Sequence, residues 1–327
     1  MIAILSLLIA CSSNEKTNEP VNLQVTKAVT VDPARLAAFK PVPPDFFGDG
    51  EEPSPVVLDL GRRLFLDPKL SASGKISCNS CHNLETNGAD TVAFSLGHEG
   101  KPVGRNSPTV FNAAGHVAQF WDGRAPDVER QALGPILAPG EMAMPNGGAV
   151  VKVLKSDKTY VDSFAAAFPG VTDPVTFENV GVSIGAFERT LTKPSRWDKF
   201  LSGDANALDD YEKKGFNEFV ESGCTGCHSG PLLGGGLFMK VGVVNPWPNQ
   251  ADQGRFDVTK SEADRMVFKV PSLRYAAETA PYFHDGSISD LPTAIKMMGY
   301  HQLGKDLTDA QTASIAAFLG STSGPVE

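Results

Sequence analysis

The sequence predicts a mainly α-helical protein of two similar halves joined by long loops, on three observations. A five-residue pattern occurs twice, Cys78-Asn79-Ser80-Cys81-His82 and Cys224-Thr225-Gly226-Cys227-His228, far apart in a chain of 327 residues. Each copy follows an amphipathic helical stretch in the same order. Alternation with a period of two, the mark of a half-buried strand, is scarce, and Gly-, Pro- and Asn-rich loops (97–108, 138–148 and 230–254) stand where strands would.

Residues 56–66 (Val-Val-Leu-Asp-Leu-Gly-Arg-Arg-Leu-Phe-Leu) read as the first helix, stopped by Asp67-Pro68 before a loop into Cys78. Over 176–191, Phe177, Val180, Ile184, Phe187 and Leu191 share one helical face. Lys193-Pro194 ends that helix, which puts a boundary at about 193–200 and divides the chain into halves 34–195 and 196–327. The helix over 208–221 carries Leu208, Tyr211 and Phe219 inward and breaks at Gly223, just before Cys224. Leu291, Ile295 and Met298 fall on one face of a later helix. The last opens on Thr308-x-x-Gln311, a capping-box pattern, carries Ile315, Phe318 and Leu319, and stops at Gly320.

C-x-x-C-H is the attachment pattern of c-type haem: the two thiols form thioethers to one porphyrin and the histidine is the proximal iron ligand. A zinc ribbon also pairs C-x-x-C knuckles, but about 15–20 residues apart and without need of the histidine. A thioredoxin-type redox pair would need one C-x-x-C beside a βαβ pattern, which is not present in the sequence pattern. The repeated pentad therefore assigns two covalent haem c groups, to Cys78 and Cys81 with His82, and to Cys224 and Cys227 with His228. A helix ahead of each pentad is the arrangement of a small cytochrome c. The expected fold is mainly α, with two cytochrome c-like haem domains, long connecting loops and little strand.

Four of the five cysteines are thus used, leaving Cys11 with no disulfide partner. Residues 1–10 form an apolar run ending Leu8-Ile9-Ala10-Cys11, which looks like a lipoprotein-type signal peptide cut before a lipidated cysteine. The run is shorter than the roughly 20 residues that span a bilayer and fits a signal h-region, although no basic residue precedes it. Residues 11–33 then read as a lipidated N-terminus and flexible tether, rich in Ser, Asn, Thr, Glu and Lys. This implies a periplasmic protein held at the membrane only by a lipid anchor on Cys11. The formal net charge of −9 argues against nucleic acid as a partner.

Four further stretches carry a family resemblance: Gly104-Arg105-Asn106-Ser107-Pro108-Thr109-Val110-Phe111-Asn112, Gln119-Phe120-Trp121-Asp122-Gly123-Arg124, Pro281-Tyr282-Phe283-His284-Asp285-Gly286 and Met298-Gly299-Tyr300-His301-Gln302-Leu303-Gly304. In this order they resemble the bacterial dihaem cytochrome c peroxidase family, from about Val56 to Gly320. The resemblance implies that the His82 haem is the peroxidatic site, with His98 as its resting distal ligand. It implies that the His228 haem is the electron-transfer site, with Met298 as axial ligand, and that Trp121 assists electron transfer between them. Glu141 would be the acid/base of the peroxidatic pocket, with Gln131 beside it. Asn106, with the Thr279 and Pro281 carbonyls, would form a calcium site, and His284 would be a hydrogen-bond partner near the haems. The Gly-rich flanks of His98 (Gly97, Gly100, Gly104) suit a loop that moves when the distal histidine leaves.

The implied reaction is reduction of hydrogen peroxide to water, with electrons from a small periplasmic donor, a cytochrome c or a copper protein. The resemblance also implies a homodimer. Two other functions compete. A related dihaem oxygenase modifies a partner protein and has tyrosine where Met298 stands. A dihaem electron carrier would leave Glu141 and Gln131 without a role.

Overall fold

The computed structural model describes residues 28–48 and 52–325. Cys11, the apolar run before it and most of the tether lie outside the described residues. The last residues of that tether are anchored rather than free: the Val29 N–H donates to Asp210 Oδ1 at 3.1 Å, and the Asn217 amide donates to the Thr30 carbonyl at 3.0 Å.

Helices dominate, joined by long loops, and a single strand pair is present among the described residues: Phe238–Lys240 runs antiparallel to Val267–Lys269, with Phe238 opposite Lys269. The helices expected from periodicity are present as Pro55–Leu66, Phe177–Arg189, Asp210–Ser222, Leu291–Leu303 and Asp309–Gly320. Thr308 and Gln311 form the expected capping box. Besides short helices such as Arg196–Leu201, three helices of nine or ten residues were not expected from the sequence pattern: Val128–Leu137, Gly147–Lys155 and Lys158–Ala167. The first contains Pro135 and the second opens on two glycines, residues that ordinarily break a helical pattern. The strand pair falls partly inside a stretch read as loop, because three residues per strand are too few to show alternation.

The same packing device recurs in each half. A Cβ on Gly61 would stand 1.9 Å from the Ser183 carbonyl oxygen, and one on Gly215 would stand 1.8 Å from that of Ser314. Each glycine lies on the helix ahead of a pentad and lets a later helix cross it at backbone contact. Buried apolar residues form one cluster within 57–191 that takes in Tyr275, and a second that joins Phe39 to residues within 197–319. Trp197 centres the second, its ring 5.0 Å from Phe216, 5.1 Å from Phe318 and 5.6 Å from Phe39. A third, smaller cluster of Trp247, Met266 and Phe268 has Trp121, Met297 and Met298 packed against it.

Candidate haem sites and the contact between the halves

Both pentads present their histidine alike. Ser77 and Ser80 cap a one-turn helix over Cys78–Cys81, and the Gly223 C-cap, at φ 92°, turns the Asp210–Ser222 helix into a tight turn over Cys224–Gly226. His82 Nδ1 lies 3.0 Å from the Pro108 carbonyl, and His228 Nδ1 lies 3.0 Å from the Leu233 carbonyl. A carbonyl only accepts, so each Nδ1 carries the proton and each Nε2 keeps its lone pair, the tautomer that ligates a metal. Burial pushes both imidazoles below their ordinary pKa, against the pull of these hydrogen bonds, and so favours the neutral, ligating form. None of the four pentad cysteines is in a disulfide, and burial pushes each thiol up before haem attachment, Cys224 to about 11. Thiols in apolar surroundings with a metal-ready imidazole beside them fit covalent haem.

A cavity of about 250 Å³ opens beside Cys224, Cys227 and His228. Met298 lines it, as does Met239, whereas Tyr300, two residues beyond Met298, is 47% exposed. Trp121 and His284 reach the same cavity. The Trp121 Nε1–H donates to the Asn106 carbonyl at 2.9 Å, and the Asn106 N–H donates to the His284 carbonyl at 2.8 Å. The His284 ring stacks on Phe268, centroids 4.4 Å apart, and stands edge-on to Trp121 at 6.3 Å. One short hydrogen-bonded and aromatic path thus joins the two halves.

Asn106, Thr279 and Pro281, the expected cation ligands, also line this cavity. Asn106 Nδ2 donates to the Val92 carbonyl at 2.9 Å, which leaves the side-chain oxygen for another partner. Among the described residues no group of three or more acidic, histidine or cysteine side chains could hold a metal, so a cation here would rest on amide and carbonyl oxygens.

The expected peroxidatic residues His98 and Glu141 meet at a backbone contact. The His98 N–H donates to the Glu141 carbonyl at 2.8 Å. A Cβ on Gly97 would lie 1.9 Å from the Gly140 carbonyl oxygen, so Gly97 serves this close approach rather than loop mobility. Gly100, at φ 70°, does supply a left-handed turn. The Glu141 loop folds back on the end of the Val128–Leu137 helix, with Met142 N–H bonded to the Pro135 carbonyl at 3.1 Å and Met144 N–H to Ile136 at 2.8 Å. Pro135 has no N–H to give the Gln131 carbonyl one turn earlier. Gln131 on the helix and Glu141 on the loop are thus linked through the backbone bonds at the helix end. Burial pushes the Glu141 carboxyl above its ordinary pKa, with Arg124 pulling the other way. His98 Nδ1 is buried without a protein partner.

Three groups escaped the sequence reading. Arg105 forks to Asp252 and Asp122; Lys269 is buried against His116; and Glu188, 5% exposed, is pushed up to about 8 by burial and by Glu129, against Arg189. Charged residues give no sign of burial in a sequence, so although Arg105 and Asp122 lie within the family-like stretches, their pairing was not marked.

Comparison with known proteins agrees with this geometry. The family described as Di-haem cytochrome c peroxidase matches residues 55–206. The chain is 46% identical over 296 residues to the cytochrome c551 peroxidase of Pseudomonas aeruginosa, covering 88% of this chain and 85% of that protein. It is 42% identical to the cytochrome c551 peroxidase of Nitrosomonas europaea, covering 99% of this chain and 91% of the relative. A crystal structure of a MauG-like protein associated with microbial copper homeostasis superposes with a TM-score of 0.76 at 29% identity, over 86% of this chain and 93% of that one. Spanning most of relatives well above 30% identity, and carrying both haem pentads, the chain belongs to the di-haem cytochrome c peroxidase family.

Proposed function

We propose that this protein reduces hydrogen peroxide to water, H2O2 + 2 e⁻ + 2 H⁺ → 2 H2O, with electrons from a small cytochrome c or copper protein. The observation that carries the proposal is the backbone contact of His98 with the loop of Glu141, whose carboxyl burial raises above its ordinary pKa. When bound, the haems supply the iron that exchanges electrons with donor and peroxide. Cys78, Cys81 and His82 hold the peroxidatic haem with His98 as its second ligand; Cys224, Cys227, His228 and Met298 hold the other. Glu141 takes the proton from one peroxide oxygen and returns one to the departing oxygen. A carboxyl pushed toward neutrality is better matched to both transfers than an ordinary one. Gln131, on the helix that the Glu141 loop folds back on, positions the peroxide. Trp121, fixed by its hydrogen bond to Asn106, carries electrons between the halves.

The test is Glu141→Gln. Loss of an acid/base group should lower kcat by about 10²–10⁴-fold with both haems loaded and their resting spectra unchanged. Undiminished turnover in that variant would remove Glu141 from the mechanism.

The same reading sets the protein in the periplasm, anchored through lipid on Cys11, as a homodimer with domains divided at 195/196. No described helix is long and apolar enough to cross a membrane. Calcium is assigned to Asn106, Thr279 and Pro281, whose oxygens suit a hard cation. The partner-modifying oxygenase is the weaker reading, because Met298, at the position where that enzyme has tyrosine, lines the cavity beside His228, and Tyr300 does not.

A further inference from the structure

Lys269 is out of place by ordinary rules. It closes the strand Val267–Lys269, is 7% exposed, and lines the cavity beside Cys227, His228 and Trp121. Its backbone N–H donates to the Trp121 carbonyl at 2.8 Å, so its place is tied to that ring. Its Nζ meets His116 Nδ1 at 2.7 Å, and burial pulls the group down to about 7 with no acidic side chain among the described residues to offset it. Lysines are almost never fully buried unless paired with an opposite charge, because an uncompensated buried charge is costly. Asp122, which follows Trp121 in the chain, and Asp252 are both bound by Arg105.

His116 sharpens the point. An ammonium only donates, so Nδ1 accepts and the imidazole proton sits on Nε2. That Nε2 is buried and has no protein acceptor. Gly235 makes room for the ring, since a Cβ there would lie 2.4 Å from His116 Cδ2. A buried amine and a buried N–H donor thus stand together with no anion among the described residues to receive them.

We propose that Lys269, held by His116, binds a haem propionate carboxylate, that of the haem carried by Cys224 and Cys227, and so keeps a positive charge on that haem's edge beside Trp121. The inference rests on the dihaem assignment but not on peroxide turnover. A fixed cation beside a haem favours the reduced state, which carries one less positive charge. It would raise the potential of the haem that receives electrons.

The experiment is spectroelectrochemical titration of the holo-protein and of Lys269→Met and Lys269→Arg, with each midpoint assigned to its haem by electron paramagnetic resonance of poised samples. Lys269→Met should lower the potential of the Cys224/Cys227 haem by at least a tenfold loss in its one-electron reduction equilibrium, about 59 mV. Lys269→Arg should keep it, and the Cys78/Cys81 haem should not move. An unchanged Cys224/Cys227 potential overturns the proposal, as does a fall confined to the other haem. Should Lys269→Met fail to take up both haems, Lys269→Gln supplies the neutral variant under the same criteria. An inactive parent protein, with the expected shift still seen in Lys269→Met, would count against the functional reading and leave this site standing.

Discussion

Removing the Arg105 guanidinium should loosen the two halves from each other. Arg105 Nε and Nη2 bond Asp252 Oδ2 and Oδ1 at 2.6 and 2.7 Å, and Nη1 bonds Asp122 Oδ2 at 2.6 Å. The three side chains are 19%, 21% and 6% exposed, so solvent screens the set only partly. Breaking a buried pair by deleting one partner costs about 3–5 kcal/mol. Here Asp122 keeps Arg124 and Asp252 keeps the Gly254 N–H, which argues for the low end, about 3 kcal/mol. For a unit of 150–250 residues that is a fall in Tm of roughly 6–12 °C. Arg105→Lys should recover less than half, because an ammonium cannot fork to a carboxylate. Burial pushes the Asp252 carboxyl up, but the Arg105 fork and the Gly254 N–H outweigh it and hold the group below its ordinary pKa. Its contribution is therefore complete above the unfolded value of about 3.9 and is lost as pH falls through the lower folded value. The variant's deficit should accordingly shrink in acid. The assay is thermal unfolding of holo-protein by circular dichroism at neutral and acid pH. A Tm for Arg105→Ala within about 2 °C of the parent, less than 1 kcal/mol on the same scale, would refute the clamp.

Two other outcomes follow from particular contacts. Gly97→Ala should force the His98 loop off the Gly140 carbonyl, since its Cβ would lie 1.9 Å away; a misplacement of this size near the chemistry costs about 10²-fold in turnover, read by steady-state peroxide assay with haem content unchanged. Glu188 is raised to about 8, so the native state holds a proton there that the unfolded chain has lost above about 4.3. Stability of the parent should fall as pH rises from that value to about 8, and urea titrations of Glu188→Gln should lack this slope.

The parts of the fold legible in the sequence were those with long regular patterns. Five apolar positions on one face gave the Phe177–Arg189 helix, and a capping box gave the start of the Asp309–Gly320 helix. The Val128–Leu137 helix was hidden because Pro135 interrupts it, tolerated there because the helix turns at once into the Glu141 loop. At the site, the haem pentads were readable because thioether attachment needs a fixed local spacing. His98, Glu141 and Met298 could be named only through family resemblance, because each meets its partner across a long stretch of sequence: His98 meets the Glu141 loop, and Met298 shares a cavity with His228. Lys269 with His116, and Arg105 with Asp252, carried no signal, since pairings across more than a hundred residues leave no trace in periodicity.

The most direct test of the central claim is peroxide-dependent oxidation of a reduced small cytochrome c by the holo-protein, with and without prior one-electron reduction. The account predicts turnover after pre-reduction; turnover only then would further support departure of His98 before peroxide binds, and turnover in both states would retain the peroxidase and discard that gate. No turnover in either state, with both haems loaded and cytochrome and copper-protein donors tried, would contradict the account and favour an electron carrier or a partner-modifying oxygenase.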